Sequence, residues 1–577
     1  MRRHWVLIAA VSAACMVLAA CGSSGSGSSA PGGSGSSSSA SDSGSASEGS
    51  GAEGSGASSG SGSSSSSGSG SGSASAPGTA AGAPGGTITT RLTADAGTLD
   101  PALSTVGGQI IDTYLYDPLV NIDLSGKVVS GIAKEWKVTA DSATFTLRDD
   151  VTCTDGHTIT ASDVKATYDY LKDPDTHATW IVSNMSTTDY TVTADDAAGT
   201  VTITLPKPYG DLISGIAAIG IVCPDGLKNP KSLTAGSDGT GPFVVESAQP
   251  DVQYVLKARK GYHWGPDGES NDAAGFPSKI VWKVVKDDST AVNMFTRGEL
   301  NLLPMSGTEA TRLANDPSVT KKATVTSTGS FMVFNQLKGR LLTDDKPVRE
   351  ALAKATNRKD AVQVMTGGLG EVTNSLVNQK PITCDDSAAA ASVPTYDVDA
   401  AKKLLDDDGW KVGPDGIRVK NGKKLSLILL ANDASKPLWE YLQQAWSQQL
   451  GVDAQLVALD NNTSTDRLLK GGDWDVSLIR IATTLQTTWT QFLMGDQPPN
   501  GLNFGSGNKT YAELATKAQA TPGQAGCDLW VQAEESAFTS MDLFPLYVPQ
   551  GQWFAHDVDF TAIWDEGVLP LSLRTTS

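Results

Sequence analysis

Cysteine and histidine are the side chains here best equipped for chemistry, and their spacing limits what they can do. The chain has six cysteines and five histidines in 577 residues. Cys153, Cys223, Cys384 and Cys527 lie far apart with no C-x-x-C pair, which argues against a zinc site. Past residue 20 the histidines are His157, His177, His263 and His556, and none pairs with another at helical spacing. There is no H-E-x-x-H, no P-loop and no G-x-G-x-x-G in a strand-to-helix setting. Gly56-Ala57-Ser58-Ser59-Gly60 matches the hydrolase pattern Gly-x-Ser-x-Gly, yet it sits in a low-complexity tract with no strand before it and no helix after. Catalysis has little to stand on, so the expectation is a protein that is not an enzyme and carries no cofactor or metal.

The N-terminus offers a different use for a thiol. Met1-Arg2-Arg3-His4 is followed by an apolar run from Trp5 to Ala20, broken by Ser12. A basic start, an apolar stretch and small residues describe a secretory signal peptide over residues 1–20, not a spanning helix. Leu18-Ala19-Ala20-Cys21 resembles the bacterial lipobox, in which the cysteine receives a diacylglycerol, so Cys21 is the expected lipidation site. Cys15 ranks second, because it would leave a shorter apolar run; the alternative is a plain secretory signal with an incidental cysteine. In an exported chain the four remaining cysteines favour two disulfides. Residues 21–86 are nearly all Gly, Ser and Ala. They cannot bury enough to offset ordering entropy and read as a tether reaching roughly 40–50 Å.

Beyond the tether, 491 residues exceed one ordinary core and suggest two or three domains. The formal net charge is −19, and removing Arg2 and Arg3 with the signal takes it to −21. That makes nucleic acid or anionic lipid a poor partner. No later apolar run approaches 18 residues, so lipid would be the only membrane attachment.

The elements can be read from period and punctuation. Phe145 and Leu147 alternate with threonines as a half-buried strand. Thr160 with Asp163 predicts a capping box for a helix burying Val164, Tyr168 and Leu171. A hairpin follows through "YTVTA" and "TVTITL", giving an α+β subdomain. Strands are expected at 254–258, 279–286 and 331–335, and a helix start at 289–297. One amphipathic helix is expected across 348–365, with Val348, Leu352, Ala355 and Val362 inward. Asp397 should cap a helix stopping at Gly409. Leu438, Leu442, Trp446 and Leu450 mark a core helix over 436–450 that Gly451 ends. The alternation over 397–480 indicates an α/β domain.

With these blocks in order, the chain resembles the family 5 solute-binding proteins of ABC transporters, the oligopeptide, dipeptide and nickel group. The matching pieces are "TLDPAL" (98–103), "GIAKEW" (131–136), "TFTLRDDVTCTDGHTITASDV" (144–164), "GTGPF" (239–243), "RKGYHW" (259–264), "GEL" (298–300), "VREALAKATNRKDAV" (348–362), "AAKKLLDDDGW" (400–410) and "GGDWDV" (471–476). The resemblance implies an α/β, bilobal periplasmic-binding-protein-like fold with an extra α+β subdomain and an interlobe cleft. Carried over, domain I is 87–125, 239–335 and 546–577, domain II is 126–238, and domain III is 336–545. Pairing within domains then gives Cys153–Cys223 and Cys384–Cys527. The implied function is an extracytoplasmic, lipid-anchored, monomeric importer component. It would capture a peptide or similar polar solute by hinge closure and deliver it to permease subunits. The alternatives are a ligand-sensing lipoprotein that signals to a partner, or an importer component for a non-peptide solute such as an oligosaccharide.

Ligand-facing positions follow locally. Ser104, Thr105 and Val106 fall in the loop that contacts peptide backbone in the family, and Trp180 follows the "DPDT" helix end where an aromatic often faces the cleft. Peptide binders of the family carry a Trp-x-x-Asp-Tyr segment whose aspartate pairs with the α-ammonium. Here residues 476–495 hold no acid, and Arg480, Thr487 and Trp489 stand there instead. Arg480 is expected to favour a carboxylate or phosphate if it faces the cleft. Trp489 is expected either to stack on the solute or to anchor a helix.

Overall fold

The computed structural model describes residues 85–576 except 179, 471 and 565. The signal peptide, Cys21 and nearly all of the expected tether lie outside the described residues. Gly85 and Gly86 do not belong to a tether, because they open the strand Gly85–Leu92.

That strand pairs in parallel with Pro277–Val284, which continues antiparallel to Gln253–Ala258 and Phe243–Gln249. The α+β subdomain is present. Its antiparallel sheet orders Ala133–Val138, Ser142–Leu147, Thr200–Thr204 and Thr191–Asp195. The helix Ala161–Lys172 packs beside it, with the Thr160 hydroxyl accepting from the Asp163 N–H and the Asp163 side chain accepting from the Thr160 N–H. The capping box forms because those two groups would otherwise be orphans at the helix start.

An eight-stranded sheet carries the rest. Its spine is the 13-residue strand Leu543–Ala555. The first part of that strand pairs with Gly329–Phe334, which continues to Val476–Ile481, Ser426–Asn432 and Asp453–Leu459. Its later part pairs with Leu302–Met305 and Lys321–Thr326. The core helix Lys436–Leu450 ends on a left-handed Gly451, with Leu438, Leu442, Trp446 and Leu450 buried.

Two large cores result. One joins residues from both expected domains I and II with Trp553 to Leu573, and the other runs from Phe331 to Tyr547. Phe331 to Phe334 therefore belong with the second core, and so do Leu546 and Tyr547, because antiparallel pairing pulls both strands into it. The single helix expected across 348–365 is two, Lys346–Lys354 and Arg358–Thr366. Asn357 accepts from Lys359 N–H and restarts the second. Cys153 is bonded to Cys223 and Cys384 to Cys527, with Cα separations of 6.1 and 5.1 Å.

Candidate functional site

Between the two cores lies a cleft of about 1250 Å³. One wall is the helix Val106–Leu115, which buries Ile110, Ile111, Tyr114 and Leu115. Gln109, Asp112, Thr113 and Tyr116, at i, i+3, i+4 and i+7, line the cleft. The preceding Asp100 turn fixes this helix. Its carboxylate accepts from Ala102 N–H (3.0 Å) and the Tyr170 hydroxyl (2.7 Å), and its carbonyl accepts from Leu103 and Ser104 N–H. Gly108 is required there, since a Cβ would stand 2.6 Å from the Thr98 carbonyl oxygen.

The opposite wall follows the strand Val476–Ile481 as a hydroxyl-rich turn. Thr483, Thr487, Thr488, Gln491 and Phe492 line it. Thr483 and Thr488 hydroxyls bond each other at 2.7 Å. The walls also meet directly. The Thr487 hydroxyl donates to Asp211, and Gly210 N–H donates to the Gln519 carbonyl. Gly126, at φ +85°, lets its hairpin approach the Ile382 carbonyl, where a Cβ would stand 2.5 Å away.

Among the described lining residues there is no Lys, Arg or His, and the acids are Asp112, Asp117, Asp123 and Glu269. Asp117 is fully engaged, accepting from Tyr262 (2.8 Å), Thr240 (2.9 Å) and Trp264 (3.0 Å). Burial raises its pKa, while those hydrogen bonds and Arg259 pull it back. "GTGPF" and "RKGYHW" thus close on one buried carboxylate and are structural. Asp123 folds into its own turn, and hydrogen bonds from Ser125 and Lys127 lower its pKa. Asp112 differs. Burial pushes its carboxyl well above the usual range, the facing Ser104 hydroxyl offsets part of this, and Asp100 adds to the rise.

Of the expected site residues, Trp180 and Thr487 line the cleft. Trp180 is held by its indole N–H donating to the Ala102 carbonyl at 2.8 Å. Ser104 does not line it but stands behind Asp112, buried. Thr105 is spent on the fold as the helix N-cap, its hydroxyl donating to Ala96 O, and Val106 begins the helix. Arg480 is not among the lining residues. Next to last in its strand, it lies opposite Ser330, with Tyr547 beyond, and its charge restrains the burial-driven rise of the Tyr547 pKa. Trp489 is 0% exposed, T-shaped against Phe331 at 4.5 Å, with its N–H on Leu376 O. Its ring faces the second core, and the stacking expectation gives way to the anchoring one. Asp112, Gln109, Tyr116, Tyr209 and Asp211 escaped sequence reasoning. The polar stripe in "QIIDTYLY" was the available signal for the first three.

The chain thus has a bilobal α/β fold with a large cleft between its two cores, the architecture of a periplasmic-type binding protein. Residues 127–501 match the bacterial extracellular solute-binding proteins, family 5 (middle region). The chain belongs to that family, whose members bind solutes and are not enzymes. It is 26% identical over 410 residues to the nickel-binding periplasmic protein of Escherichia coli K12, covering 65% of this chain and 72% of that one. It is 26% identical over 490 residues to a glutathione-binding protein of Salmonella typhimurium, covering 81% and 90%. Among solved structures, a substrate-binding protein from Microbacterium hydrocarbonoxydans complexed with 4-hydroxybenzoate hydrazide matches with TM-score 0.61 and 26% identity, over 85% of this chain and all of that one.

Proposed function

We propose that this protein is the solute-capturing component of an ABC importer, tethered outside the cell by a lipid on Cys21, which closes its cleft over a polar solute and presents it to a permease. The observation that carries this reading is the cleft itself. Its lining combines aromatic faces (Trp180, Tyr209, Phe492, Trp564) with hydroxyls and amides, the mixture that orients a small solute while burying its apolar surface. The bonds from Thr487 to Asp211 and from Gly210 to Gln519 join the walls as a closing cleft requires.

The composition of the lining also narrows the cargo. Glutathione, named for one relative, is rich in carboxylates, and with Arg480 away from the cleft no described lining residue offers a cation to meet them. Among the described residues no three His, Cys, Asp or Glu side chains converge to hold a metal ion, so a bare metal finds no ligand set there. A neutral or cationic organic solute fits best. Native mass spectrometry of the purified protein tests the reading. A mass excess that disappears on unfolding and recurs with one solute is expected, and a protein that retains and binds no small molecule overturns it. For the anchor, Cys21→Ala should abolish partitioning into the membrane fraction; unchanged partitioning would remove Cys21 from its role.

A further inference from the structure

The stripe of the first helix that lines the cleft is almost wholly satisfied by its own surroundings. The Gln109 amide donates to Ser104 O, the Thr113 hydroxyl to Ile110 O, and the Tyr116 hydroxyl to Leu99 O. Asp112 is the exception. Its Oδ1 is closed off from solvent and faces the Ser104 hydroxyl, a neutral neighbour, while the residue as a whole is only half-buried, on the cleft. Asp100, the nearest charged neighbour, is occupied by Tyr170 and Ala102.

Partial burial disfavours a carboxylate that has no counter-charge beside it. No described lining residue is a Lys, Arg or His that could do so. The chain therefore brings no counter-charge to Asp112, and the cleft it lines is open to a solute that carries one.

We infer that Asp112 anchors the solute through a protonated amine, whose N–H groups donate to its carboxylate while the apolar body lies along the aromatic lining. This rests on the solute-binding reading above and specifies the class of solute. An anionic group in the same place would meet Asp112 and Asp117 with like charge.

Calorimetry on the purified full chain provides the test, with tyramine, tyrosinamide and alanyl-phenylalanine amide each set beside its N-acetylated form. The amines should bind, acetylation should weaken them at least about tenfold, and Asp112→Asn should weaken them about 10- to 100-fold, the range for a hydrogen-bonded charge. The variant should melt within a few degrees of the parent, with Asp112→Ser as a second, smaller replacement should the first fail to fold. The anchor is overturned if no amine binds, or if acetylated probes or the variants bind within about twofold of the parent. If native mass spectra then still show a retained uncharged or anionic solute, the solute-binding reading stands and only the anchor falls. A protein that retains no solute and binds no probe loses both.

Discussion

At the residue scale, the two tryptophans singled out by sequence have opposite fates for one reason, the direction of the chain that carries them. Trp180 has its N–H tied to Ala102 and leaves a face on the cleft. Trp489 is enclosed by Phe331 and Phe492. Trp489→Ala should therefore cost about 3–5 kcal/mol of stability, as large aromatic deletions in cores do. Urea denaturation measures this, and a loss below about 1 kcal/mol would mean the ring is not a core element. Glu534 sets a second expectation. It is 1% exposed, and its pKa is raised well above the ordinary 4.5 by burial first and then by the charge of Asp386. Above about pH 4.5 the unfolded chain has lost a proton that the fold retains, so the folded state binds more protons and stability falls as pH rises through that window. Glu534→Gln should flatten the decline of the urea midpoint between pH 4.5 and neutrality; identical slopes in both proteins would clear this carboxyl of the effect.

At the scale of elements, the motifs of the family turn out to be fasteners. Arg340 pairs with Asp473 and Asp475, and Asp475 accepts from Ile428 N–H, so "GGDWDV" clamps the strands of the second core. Arg349 donates to the carbonyls of Leu342, Ser540 and Met541, tying "VREALAKATNRKD" to the long strand's approach. The bond Cys384–Cys527 closes 143 residues of the same core. Chain entropy assigns such a loop up to about 5 kcal/mol. The paired substitution Cys384→Ser with Cys527→Ser should lower the denaturation midpoint by a matching amount while leaving Cys153–Cys223 intact. An unchanged midpoint would show that the second core does not depend on the crosslink.

For the whole molecule, the described chain passes between the two large cores through two neighbouring segments, 326–330 and 548–552. Val325 and Trp553 pack with the first core, Phe331 and Tyr547 with the second. On the proposed closure these segments would serve as the hinge, and the bonds across the cleft include Thr487 to Asp211 and Gly210 to Gln519. Thr487→Val should weaken the closed form by about 1–3 kcal/mol, seen as roughly 5- to 100-fold faster loss of bound solute in a chase experiment. An unaltered rate would assign closure to other contacts. Much of this molecule was legible in the chain. Capping at Thr160 and Asp397, the stripe Leu438 to Leu450 and the ordered motifs are local patterns, and local hydrogen bonding and side-chain period follow from neighbours in sequence. What tertiary structure alone decided was which side chains face the cleft. Arg480 and Trp489 sit in a segment whose composition suited a ligand, yet strand pairing put one opposite Ser330, outside the cleft lining, and packing sealed the other in the core. Asp112 belongs to a helix with one polar stripe, and it faces a cleft without a lining cation only because residues far away in sequence supply the other walls.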